Sequence, residues 1–184
     1  MSIETPKFDV LTKDGAFELR LYAPNINATV EVEGDDYREA ANNGFRPLAN
    51  YIFGNNISKQ NIAMTSPVTA QPTAEKIAMT ASVTITKEKT YLVSFTMPSK
   101  YSMENLPLPT NPNVRFQSNP AKKMAVIRFA GSFIQKNFDK NLSRLREWMI
   151  QKGLTPSSEP VIAGYNPPIK PWFLKHNEIL IEVQ

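Results

Sequence analysis

Apolar and polar residues alternate along FELRLY (Phe17 to Tyr22) and again along NATVEVEG (Asn27 to Gly34), the period-2 pattern of strands with one buried face. The period then changes. Tyr37, Ala41, Phe45, Leu48 and Ile52 recur at helical spacing behind Asp35 and Asp36, either of which can cap a helix. Pro47 lies inside that stretch and predicts a kink, or a break into two short helices, near Arg46. The GNN at 54–56 tolerates positive φ and ends the helix. Three strand-like stretches follow: NIAMTSPVT (Asn61 to Thr69), KIAMTASVT (Lys76 to Thr84) and TYLVSFTMP (Thr90 to Pro98). Three prolines make 99–112 a connecting loop. VRFQS and KKMAVIRFAG (Lys122 to Gly131) read as strands, and Phe138, Leu142, Leu145 and Met149 stripe a helix from about Lys136 to Lys152, stopped at Gly153. VIAGYNPPIKPWF reads as a proline-rich loop, and NEILIEV as a last strand with Ile179, Ile181 and Val183 on one face.

The two halves are alike. ATVEVEG, helix, strand, strand corresponds to AVIRFAG, helix, strand, strand. Each β-α-β-β unit has a helix that can bury its stripe only against a sheet. The expected fold is therefore α+β: two pseudo-symmetric repeats forming a curved, barrel-like, mainly antiparallel sheet with two helices packed on it. We read one domain over 1–184, with a first repeat at about 17–98, the connector 99–112, and a second repeat at about 113–183.

Composition removes many chemistries. With no cysteine there is no disulfide, thiolate nucleophile, Cys-ligated metal or covalent haem attachment. A single histidine, His176, excludes clustered His ligands, and no G-x-S-x-G elbow or glycine-rich phosphate loop is present. No run of about 18 apolar residues predicts a membrane span, and MSIETPKFDV lacks the basic and apolar regions of a secretory signal, so the chain reads as cytoplasmic. The net charge of +4 favours an anionic ligand or weak nonspecific nucleic-acid contact, and of these an anionic small ligand is expected. Lys136, Lys140 and Arg144 form one solvated helix face, and no aromatic-interleaved basic motif points to nucleic acid. A monomer is expected.

GFRPLANYIFGNN…NIAMTSPV, KIAMTASV, FTMPSKYSMENLPLP, AVIRFAGSF and YNPPIKPWFLKHNEIL together resemble the SOUL haem-binding family, in order, from about Phe8 to Val183. The second half also resembles effector-binding domains of the GyrI-like superfamily. The resemblance implies a duplicated β-α-β-β fold with a hydrophobic cleft that holds haem or a porphyrin noncovalently. In animal haem binders the first helix presents basic residues beside an apolar patch. The corresponding positions here are Asn42 and Asn50, flanking Phe45 and Ala49, which lowers the expected affinity because two propionate partners are gone. Arg46 and Lys170 retain basic character, and Phe45, Phe53, Trp172 and Phe173 would supply the apolar contacts.

Six of nine positions are identical between the two IAMT phrases. In each, Ile and Met fall on one strand face and Ala and Thr on the other. Met64 and Met79 then read as buried fillers where helices meet a curved sheet. The competing reading sets one thioether against a tetrapyrrole plane. His176 stands in Lys175-His176-Asn177-Glu178, a variant of the family's Arg-Arg-Asn-Glu sequence, so a structural hydrogen-bonding role is expected rather than axial ligation. Glu178 reads as the closer of a hydrogen-bond network. The alternative is an effector-binding module or hydrolase in which Glu178 faces the cleft as general acid or base.

Overall fold

The computed structural model describes residues 4–73, 89–131, 134–164 and 176–184. Within them the chain forms β1 (Phe8–Asp14), β2 (Phe17–Tyr22), β3 (Asn25–Gly34), α1 (Tyr37–Ile52), β4 (Val68–Pro72), β5 (Lys89–Thr96), β6 (Arg115–Asn119), β7 (Lys122–Ala130), α2 (Gln135–Gln151), β8 (Val161–Gly164) and β9 (His176–Glu182). The second IAMT phrase with Met79, and the segment carrying Lys170, Trp172 and Phe173, lie outside the described residues.

The nine strands form one antiparallel sheet in the order β1-β2-β7-β9-β8-β4-β5-β3-β6. It does not close into a barrel. The duplication is visible in that order: β7-β9-β8 mirrors β3-β5-β4, and the repeats meet where β8 pairs with β4 through Val68↔Gly164, Thr69↔Ala163 and Ala70↔Ile162. The hairpin β1-β2 extends one end and β6 the other.

Both helices cover the same face. The Tyr37 ring on α1 lies 4.2 Å from the Phe138 ring on α2, and one continuous core runs from Val30 and Val93 to Ile127, Ile179 and Ile181. As expected, Ile179, Ile181 and Val183 all point into it. Asp36 is the α1 cap, its Oδ1 accepting from Glu39 N–H at 2.9 Å. Among the described residues no helix is long and apolar enough to cross a membrane.

Four expectations change. The buried stripe of α1 is Tyr37, Ala40, Gly44, Leu48 and Tyr51, not the line through Ala41 and Phe45. Small residues let the helix approach the sheet, and a Cβ on Gly44 would sit 2.4 Å from Val93 Cβ. A pattern read from bulky residues misses a contact made by small ones. Secondly, of the kink or break expected at Pro47 there is no break: α1 continues through it, since the buried anchors Leu48, Tyr51 and Ile52 hold the helix beyond the lost hydrogen bond. Thirdly, VIAG is strand β8 rather than loop, all four residues paired with β9 and three of them with β4. Lastly, the first IAMT phrase becomes a strand only at Val68. Before it Ile62, Thr65 and Pro67 turn inward, while Met64 is 37% exposed and is not a core filler. Thr65 Oγ1 donates to the Thr96 carbonyl and locks that approach. Strand β1 was not anticipated: all but its first residue are exposed, so its burial signal is weak.

Candidate functional site

With the core face of α1 taken by small residues, the large ones at its shoulder turn outward. Asn42, Phe45, Arg46, Ala49, Asn50 and Phe53 fall at i, i+3, i+4, i+7, i+8 and i+11, which is one strip of a helix. Ala49 is buried at its base, Asn42, Arg46 and Asn50 are exposed, and Phe45 and Phe53 are 38% and 65% exposed. Thus six of the nine expected site residues share one surface. Phe53 caps the helix, its N–H donating to the Ala49 carbonyl at 2.9 Å.

Two further exposed apolar residues, not anticipated, meet in the turn region beyond α1. Ile57 and Leu108 are 66% and 60% exposed, and the Ile57 N–H donates to the Leu108 carbonyl at 2.9 Å, so they sit side by side. Asn56 fixes this turn from beneath, donating through Nδ2 to the Tyr51 and Gln60 carbonyls at 3.1 and 2.7 Å. Each position alone looks like ordinary loop, and the 56–109 bridge and the Ile57–Leu108 bond join them. The remaining expected site residues, Lys170, Trp172 and Phe173, lie outside the described residues. Strand β8 ends at Gly164, opposite Val68, and α1 starts at the Gly34 end of β3.

The other face of the sheet carries no helix among the described residues, yet part of it is dry. Val126, Ala163 and Leu180 form a small second core, backed by Tyr22, Met124 and Val161. Beside it lies a charged cluster. Arg20, 0% exposed, donates Nη1 to Glu178 Oε2 at 2.9 Å, Nη2 to Oε1 at 2.8 Å and Nε to Glu18 Oε2 at 2.7 Å. Arg128 Nε adds a second cation on Glu178 Oε1 at 2.8 Å. Burial alone would lower the Arg20 pKa, but its bonds to Glu178 outweigh that and hold it above the ordinary value.

This arrangement decides what Glu178 can do. Its carboxylate is fully buried, satisfied by two guanidinium groups, and lines neither of the two larger clefts. A carboxylate bonded to two guanidinium groups is a member of a buried network, which supports the network reading of Glu178. His176 Nε2 lies 3.4 Å from Glu178 Oε1, on the same helix-free face. A sheet therefore separates His176 from the strip on α1. Sequence reading singled out Glu178 but not its partner Arg20. The available signal was the polar face Glu18-Arg20-Tyr22 of β2, which alternation alone assigns to solvent.

A sequence model of the family described as SOUL heme-binding protein matches residues 3–182. The chain belongs to this family. It is 28% identical over 173 residues to heme-binding protein 1 of Xenopus laevis, covering 90% of this chain and 87% of that protein. It is 27% identical over 191 residues to heme-binding protein 2 of Homo sapiens, covering 96% of this chain and 88% of that protein. Among solved structures, the EcmrR C-terminal domain superposes with a TM-score of 0.66 at 11% identity, over 91% of this chain and 96% of that one. At that identity the likeness is one of fold. SOUL-family membership and the duplicated sheet thus agree with the resemblance seen in the IAMT and YNPP motifs.

Proposed function

We propose that this protein is a cytoplasmic carrier or buffer that binds haem or a related tetrapyrrole noncovalently. The macrocycle rests on the outward strip of α1, with Phe45, Ala49 and Phe53 beneath it and Arg46 at one propionate. Asn42 and Asn50 flank it, and Lys170, Trp172 and Phe173 complete the surround. The observation that carries this reading is the pair of exposed phenylalanines beside Arg46 on a helix whose opposite face already supplies the core. Folding does not explain their exposure, and a flat apolar ligand with an anionic edge does. Similarity to proteins named for haem binding supports the same ligand class.

The residues fit such a group as a contact surface rather than as a ligand set. The strip offers no imidazole or thiolate, and His176 faces away from it. Binding then rests on apolar contact and on few charge-assisted bonds, each worth about 1.5–3 kcal/mol, so carboxamides at 42 and 50 make affinity modest. Haemin titration, watched at the Soret band, tests this. The expected result is a saturable, broad and weakly shifted band, unchanged by His176→Ala. Phe53→Ser, Arg46→Glu and Lys170→Glu should each weaken binding by about tenfold, equivalent to about 1.4 kcal/mol. A sharp six-coordinate spectrum that collapses with His176→Ala, or titrations indifferent to the strip variants, would overturn it.

A further inference from the structure

We propose that the two turns beyond the C-terminus of α1, residues 53–61 and 105–110, form a docking surface for an anionic lipid membrane. This goes beyond the tetrapyrrole reading and does not depend on it. Among the described residues, four large apolar side chains are at least 60% exposed. Three of them, Phe53, Ile57 and Leu108, lie in these turns, and the fourth, Ile150, is on α2. Single exposed hydrophobics are ordinary, but three gathered on neighbouring turns mark an interaction surface.

The turns are held from beneath. Phe53 bridges to Asn61 and Asn56 to Pro109, so the first turn closes on itself and packs beside the second. Asn56, 2% exposed, donates to two carbonyls and also accepts from the Gln60 N–H at 3.0 Å. In the second turn Leu106 and Pro107 face inward, and the Tyr51 hydroxyl donates to the Pro107 carbonyl at 2.8 Å. Leu108, between two prolines, is left outside. The bonds that order both turns thus run through Asn56, Tyr51 and the main chain of Ile57 and Leu108. Folding gives the Ile57 and Leu108 side chains no reason to be apolar.

Charge selects the partner. Residues 40–72 and 105–119 include Arg46, Lys59 and Arg115 but no Asp or Glu. The loop leading into the second turn carries Glu104 and receives Glu4 on the Ser99 N–H, with Lys100 four residues before the one and Lys7 near the other. The surface therefore keeps a positive balance. Lys59 is exposed at φ 50°, a left-handed conformation that Gly or Asn adopts at lower cost, so its charge rather than its backbone suits the position. Apolar tips among cations match a bilayer interface, where aliphatic side chains sink below the headgroups and lysines meet lipid phosphates. A second copy would instead bring the same cations against one another.

Haem-free, full-length protein is floated with vesicles of equal parts phosphatidylcholine and phosphatidylglycerol, and with vesicles of phosphatidylcholine alone. Binding to the anionic vesicles should be at least about tenfold tighter and should weaken as salt rises. Ile57→Ser together with Leu108→Ser should weaken it about tenfold or more, and Lys59→Glu about fivefold, with thermal unfolding and haemin titration left as they were. Ile57→Trp should keep binding and add emission that brominated acyl chains quench beyond any quenching of the parent protein. No flotation, flotation indifferent to the serine pair, equal binding to neutral vesicles, or a concentration-dependent dimer that the serine pair dissolves would overturn the proposal.

Discussion

Replacing Arg20 by Met tests the claim that Glu178 is a structural carboxylate. The guanidinium is 0% exposed, bonds both oxygens of Glu178, reaches Glu18 and packs 4.2 Å from the Phe8 ring. Met fills much of its volume but leaves Glu178 at 0% and Glu18 at 3% exposure without their shared cation. Removing one partner of a buried ion pair costs about 3–5 kcal/mol. With a urea slope of about 2 kcal/mol per M, the unfolding midpoint should fall by roughly 1.5–2.5 M. Arg20→Met combined with Glu178→Leu removes one charge of each sign. Arg128, 42% exposed at its side chain, still lies 3.8 Å from Glu18, so the double variant should recover about 2 kcal/mol or more of the single-variant loss. Acid titration gives a second readout. Burial alone would raise the Glu18 pKa, but the bond from Arg20 and the nearby cations hold it below the ordinary value. A depressed folded-state pKa adds stability above the unfolded value of ~4.3, and that stability is lost as pH falls through the folded value. Arg20→Met should therefore flatten the acid dependence below about pH 4.5. A single-variant loss under about 1 kcal/mol, or a double variant as unstable as the sum of the two singles, would refute the reasoning.

Two further outcomes follow from packing and exposure. Gly44→Ala places a methyl 2.4 Å from Val93 Cβ, and overpacking of about 1–3 kcal/mol exceeds the ~1 kcal/mol gain in helix propensity, so thermal unfolding should occur lower by up to several degrees; a rise would contradict the close approach. Under mild peroxide, peptide mass spectrometry should find Met64 and Met103, 37% and 51% exposed, oxidised well before Met97 and Met149 at 4% and 2%; equal protection of Met64 would return it to the core.

The sequence by itself determined the duplicated β-α-β-β plan, a cap for α1 at Asp35 or Asp36, the inward face of β9 and the family, because period, caps and motifs are local or strictly ordered along the chain. It also brought Phe45, Arg46 and Phe53 together, since helical spacing alone sets their common strip. It misjudged what depended on distance between backbones. Whether α1 buries Phe45 or Gly44 depends on how closely the helix can approach Val93, and small residues leave no trace in a hydrophobic stripe. Whether Met64 is core depends on where β4 begins, which Thr65 decides through Thr96 on another strand. The meeting of Ile57 with Leu108, and of Arg20 with Glu178 across 158 residues, belongs to strand order and loop packing. Alternation along β2 says that Glu18, Arg20 and Tyr22 share a face. Only the folded sheet, by drying that face with Val126 and Leu180, turns Glu18 and Arg20 from solvated ions into a buried network with Glu178.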